Sequence, residues 1–137
     1  RICFNCPSLI SFSLISSNLL RVADNAFTGL PLLKLLSLSN NTALTHAGLG
    51  SSLHSIKNPG ISIYLQYTNV RNLDEHVFRP LVEMFTAAES SSGRIVMTEV
   101  KLNCGCDVKW IADDFPSQTV FYNAFCVGTL SALAEVG

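Results

Sequence analysis

Apolar residues fall along this chain in short alternating pairs, separated by longer stretches in which polar residues dominate. Leu9, Phe12 and Leu14 open the series, followed by Ser17, Leu19, Val22, Phe27 and Leu30. A shift of 24 residues reproduces the opening as Leu33, Leu36, Leu38 and Asn41, with Leu44 following after one inserted residue. A third copy runs Ile63, Leu65, Thr68, Val70, Leu73, Phe78 and Leu81, and a fourth Ile95, Met97, Val100 and Leu102. Apolar residues separated by one position mark a strand with a single buried face. The pairs Phe12/Leu14, Leu36/Leu38, Ile63/Leu65 and Ile95/Met97 therefore each predict one short strand.

The residue that follows each strand is Ser17, Asn41, Thr68 or Val100. An inward polar side chain at such a turn hydrogen-bonds backbone groups of neighbouring coils, which Val100 is unable to do. This ladder resembles the leucine-rich repeat. That resemblance implies an α/β solenoid of about four coils, with short parallel strands on a concave face, an irregular or short-helical convex side, and sealed ends, because no coil buries its apolar face alone. Residues 9–102 carry the repeats, 1–8 read as the remnant of an N-terminal cap, and 103–137 as a C-terminal cysteine cap. Between strands, Val22 to Leu30 and Asp74 to Leu81 are return stretches. Leu81 to Glu89 has the spacing of two helical turns before the Ser90-Ser91-Ser92-Gly93 breaker, and Gly48 to Gly60 reads as an irregular convex crossing.

Composition narrows the function classes. Of 137 residues, 48% are hydrophobic and 14% charged, which excludes intrinsic disorder. Nine basic residues against ten acidic ones, with no run of like charge, create no field for phosphates, so nucleic acid is not expected as a partner. No apolar stretch reaches the roughly 18 to 20 residues of a membrane helix, so no membrane span is expected. The chain begins at Arg1 without a basic segment and apolar core of a leader, which sets the expectation of a mature chain or a fragment.

Five cysteines stand in two terminal clusters: Cys3 and Cys6, then Cys104, Cys106 and Cys126. Zinc is not expected, since the two clusters lie about a hundred residues apart and C-x-C spacing is atypical of structural zinc sites. A redox role for Cys3-x-x-Cys6 lacks a surrounding βαβ pattern. Leu102-Asn103-Cys104-Gly105-Cys106-Asp107-Val108-Lys109-Trp110-Ile111, followed by Phe121 to Cys126, resembles the C-terminal cysteine cap of extracellular leucine-rich repeat proteins. The resemblance implies a disulfide from Cys104 to Cys126, a second from Cys106 to a fourth cysteine, and Trp110 buried as a plug. That fourth cysteine is absent, so Cys106 is either unpaired or parted from its partner by truncation. Asn25 to Leu30, Leu44-Thr45, Cys104 to Asp107 and Cys126 to Thr129 together resemble the arthropod family named for the non-catalytic subunit of the Oplophorus luciferase (luciferin 2-monooxygenase). A shared fold does not carry bioluminescence with it.

Candidate chemistry is sparse. His46, His54 and His76 read as solvated loop histidines, and no nucleophile elbow, zinc helix or phosphate loop accompanies them. Neither an enzyme nor a cofactor is expected. In the repeat architecture the residues flanking each inward pair line the concave face: Ser11, Ser13, Ile15, Leu35, Ser37 and Ser39 in the first half, and Ser62, Tyr64, Gln66, Tyr67, Arg94, Val96, Thr98 and Glu99 in the second. Tyr64, Gln66, Tyr67 and Arg94 are the candidate binding residues, because Tyr and Arg dominate interface energetics. Asn40-Asn41-Thr42 is a glycosylation sequon for Asn40. The sequence thus predicts a secreted or ectodomain protein-binding module that is not an enzyme and whose partner is another protein. Two alternatives are a fragment of a larger receptor or matrix ectodomain and an accessory subunit of a larger complex.

Overall fold

The computed structural model describes residues 6–87, 93–103, 105, 108–112 and 119–126. Strands β1 (Ser11–Ser13), β2 (Leu35–Ser37), β3 (Ser62–Tyr64) and β4 (Arg94–Val96) form where the alternating pairs predict them. They lie side by side in chain order and all parallel, and β6 (Phe121–Tyr122) extends the sheet to five strands. β6 falls inside residues 103–137, which the sequence assigns to a cap, so the sheet has one strand more than the four repeats. A second parallel pair joins β5 (Lys101–Leu102) to β7 (Phe125–Cys126). The architecture is α/β in the broad sense, a parallel sheet with a few short helices.

Register makes the sheet a set of rows. Phe12, Leu36, Ile63, Ile95 and Phe121 are aligned, and the last four are buried. Leu38, Leu65 and Met97, two residues further on, are buried as well, whereas Phe12 and Leu14 at the sheet's open edge are half-buried. The difference follows from position, since an edge strand has a neighbour on one side only. The hydrogen-bond ladder runs beyond the strands proper: Leu14 donates to Ser37, Leu38 to Tyr64, Leu65 to Val96 and Met97 to Tyr122.

The crossovers behind the sheet differ from one another. Between β1 and β2 the return stretch has no helix, and Ala26, Phe27, Leu30 and Leu33 bury themselves against the core. Between β2 and β3 come α1 (His46–Leu49) and a 3₁₀ turn at Ser52–Ser55. Gly48 allows a close backbone approach there: a Cβ would sit 2.2 Å from the Leu20 carbonyl oxygen. Between β3 and β4 runs α2 (Glu75–Ala87), longer than the two turns predicted from Leu81. Asp74 caps it, its carboxylate accepting from the Val77 amide, and Val77, Phe78, Leu81, Val82 and Phe85 form the buried stripe of an amphipathic helix. Phe78 meets Phe121 edge to face at 5.8 Å, which ties α2 to the fifth strand.

Pro80 lies inside α2 and leaves the His76 carbonyl without its intrahelical donor. His54 Nε2 supplies the missing bond, donating to that carbonyl oxygen at 2.7 Å. A carbonyl only accepts, so the proton is on Nε2. His54 is therefore a structural donor rather than the solvated loop residue expected from sequence.

Asn41 does for the segments that follow β1 and β2 what a polar turn residue was expected to do. Fully buried, it accepts from the amides of Ser17 and Leu19 and donates to the carbonyls of Leu14, Leu38 and Ser39. Thr68 reaches only the Leu65 carbonyl, and Val100 is simply buried. At the far end, Val108 just before α3 (Lys109–Ala112) and Ile111 within it are fully buried, while Trp110 is half-buried against the core edge. Its indole donates to the Leu73 carbonyl at 3.0 Å, so Trp110 is a tethered, partly buried side chain at the margin of the core rather than the buried plug expected from the resemblance.

Candidate functional site

The solvent face of the sheet is the alternate set of side chains left when Leu36, Ile63 and Ile95 turn inward. One row across it reads Ser13, Ser37, Tyr64, Val96, Tyr122, and the adjacent one Ser11, Leu35, Ser62, Arg94. Ser37 and Ser39 were expected to line this face, yet they are 9% and 7% exposed, with the Ser37 hydroxyl donating to that of Ser39 at 3.2 Å. Val96 is covered too, at 6%. Short side chains in a row that contains tyrosines are shaded by their taller neighbours.

What protrudes is aromatic and cationic. Tyr67 and Tyr122 are each 52% exposed, Tyr64 and Gln66 are half-buried, and Arg94 is exposed. The Arg94 guanidinium lies over the Tyr122 ring, 5.6 Å from its centre, within the range of a cation–π contact worth about 0.5–1 kcal/mol at an exposed site. Asn123 donates from its side chain to the Thr98 hydroxyl at 3.1 Å and so joins the same edge. The chain has three tyrosines, and all of them belong to this half of the sheet. Sequence reasoning found Tyr64, Gln66, Tyr67 and Arg94 but missed Tyr122. Its signal was the Val120-Phe121-Tyr122 run about one repeat length beyond Ile95, hidden by the stronger cysteine pattern around it.

The other predicted residues are placed as follows. Asn40 is exposed, with φ of 60°, and its amide donates to the Gln66 carbonyl. Cys126 is buried and disulfide-bonded, and Cys6 is disulfide-bonded too. Cys104 and Cys106, on which the expected Cys104–Cys126 pairing depends, lie outside the described residues.

A second cluster sits on the opposite side, in a shallow cleft of about 370 Å³ lined by His54, Glu75, His76, Arg79, Pro80 and Glu83. The two imidazoles meet edge to face at 5.3 Å, and His76 Nε2 lies 3.3 Å from the Ser51 hydroxyl. A serine activated for nucleophilic attack needs its histidine oriented by a third group. Among the described residues no carboxylate hydrogen-bonds His76. Asp24 accepts from the Ser51 amide instead, while Glu75 and Glu83 are both paired with Arg79. The described residues also contain no group of three or more His, Cys, Asp or Glu arranged to hold a metal, and no helix long and apolar enough to cross a membrane.

The chain matches no family model, no curated protein and no solved structure.

Proposed function

We propose that this chain is an extracellular leucine-rich repeat domain that binds another protein through the β3–β4–β6 half of its concave sheet and carries out no chemistry of its own. The observation that carries the reading is the concentration of Tyr64, Tyr67, Arg94 and Tyr122 on one side of a sheet whose other side offers serines. Large, rigid side chains with few torsions lose little entropy when a partner covers them, and residues of these types contribute about 2 kcal/mol or more each at interface centres. Support for the repeat architecture comes from the in-register parallel strands β1 to β4, one per sequence copy, and from Asn41 clamping the segments beside β1 and β2.

In this reading Cys104 bonds Cys126 as part of a C-terminal cap, and Asn40 carries a glycan at the sheet's margin. The accessory-subunit role implied by the resemblance to the luciferase-subunit family is one form such binding takes. The test begins with affinity capture of partners from the source fluid and continues with titrations of the captured protein. Tyr64→Ala and Arg94→Ala should each weaken binding about 30-fold, and Ser13→Ala should leave it unchanged. Equal, negligible effects from all three move the site off this face. For the absence of chemistry, the check is an ester-hydrolysis assay, in which turnover abolished by His76→Ala overturns the reading.

A second reading, a section of a larger receptor or matrix ectodomain, draws on the opposite edge. Ile10, Ile15 and Leu20 are exposed in the β1 segment, beside the half-buried Phe12 and Leu14. A further coil of the same repeat packing on β1 would cover them.

A further inference from the structure

Four residues at equivalent places in successive coils have a left-handed backbone: Ser16, Asn40, Tyr67 and Glu99, with φ between 54° and 63°. Each stands three positions beyond the aligned row Ser13, Ser37, Tyr64, Val96. The turn that ends each strand thus imposes the same geometry every time. Asn tolerates it well, whereas Tyr and Glu pay a steric cost there. A requirement of folding alone is best met by Gly or Asn, so a tyrosine and a glutamate in the last two turns suggest that their side chains are wanted where the turn throws them.

Both line one cleft of about 270 Å³ at the edge of the sheet, together with Asn69, Arg71 and Lys101. Arg71 Nε donates to the Asn69 side-chain oxygen at 2.7 Å, which fixes the guanidinium and leaves its terminal amino groups without an acceptor among the described residues. Lys101 is exposed at the start of β5. The ion pairs among the described residues both lie on α2, so neither cation in the cleft is paired with Glu99. The cleft thus carries two cations against one anion in a chain of net charge −1.

We propose that this cleft receives a carboxylate side chain of an acidic protein partner. Arg71 and Lys101 converge on the carboxylate through charge-assisted hydrogen bonds, and the Tyr67 ring lies along its stem. The proposal rests on reading the adjoining sheet as a protein-binding face and names the partner's chemistry. Tyr67 belongs both to that face and to the cleft, so a protein lying across the sheet reaches both. The cleft, at about 270 Å³, is smaller than the pockets that enclose drug-sized ligands, and two cations are too few to track a nucleic-acid backbone.

The experiment titrates the intact chain with fluorescein-labelled hexaglutamate, with hexaglutamine and an oligo-glucuronate as controls. Hexaglutamate should bind more tightly than both, with affinity falling as salt rises. Arg71→Gln and Lys101→Gln should each lower it about tenfold, Glu99→Gln should raise it, and Arg21→Gln and Lys57→Gln, exposed cations elsewhere, should leave it unchanged. Tyr67→Gly, which suits the left-handed turn, should melt no lower than the parent yet bind hexaglutamate more weakly. Preference for the glucuronate, or equal losses from Arg21→Gln and Arg71→Gln, overturns the proposal. If hexaglutamate depends on Arg71 and Lys101 while the captured partner ignores Tyr64→Ala and Arg94→Ala, the cleft stands and the sheet-face reading falls. The reverse pattern sinks the cleft alone.

Discussion

At the β1–β2 end of the sheet, Asn41 is buried and holds five backbone groups, and the outward rows are mostly serine. At the β3–β4–β6 end its place is taken by Thr68, with one hydrogen bond, and by Val100, while the outward rows carry Tyr64, Arg94 and Tyr122. Polar chemistry points inward in the first region and outward in the second. Parallel strands in one register make such a division possible, because the inward and outward positions of each strand vary independently.

The contrast is broken most directly at Asn41. Replacing it with alanine strands two amides and up to three carbonyls in a buried site, and should cost about 3–5 kcal/mol in urea denaturation. Thr68→Ala, losing a single hydroxyl bond, should cost about 1 kcal/mol. Similar losses at the two positions would mean that the halves are not held differently.

A smaller effect is expected on the back of the aromatic half. His54→Ala removes the donor that replaces the amide missing at Pro80, at about 1–2 kcal/mol, and His54→Gln should recover part of it. In a Pro80→Ala background the helix supplies its own donor, so the same His54→Ala change should cost about 1 kcal/mol less. Additive losses in that double-mutant cycle would contradict the role given to His54.

The smallest effects on folding are predicted for the binding candidates themselves. Arg94→Ala should cost no more than the cation–π contact, about 0.5–1 kcal/mol, and Ser13→Ala should stay within about 0.5 kcal/mol. Thermal melts check both. A large loss at Arg94 would make that residue structural rather than available to a partner.

Local pattern made part of this visible in the sequence. Alternation placed β1 to β4, and the polar position after the strand singled out Asn41, because each signal lies within a few residues. The extent of α2 was not legible, since Pro80 reads as a helix breaker and its remedy, His54, comes from a different crossover. Tyr122 escaped because its strand is two residues long and gains its meaning from pairing with Val96. The left-handed turns at Tyr67 and Glu99 were hidden for a related reason: side-chain type argues against that conformation, and only the recurring register imposes it.

Radical footprinting of the chain with and without its captured protein partner tests the central claim most directly, because exposed aromatic and aliphatic side chains at both ends of the sheet report in one experiment. Binding should protect Tyr67 and Tyr122, each 52% exposed when free, and leave Ile10, Ile15 and Leu20 labelled as before. Protection of Ile10, Ile15 and Leu20 with the tyrosines unchanged would put the interface on the β1 edge and contradict the account.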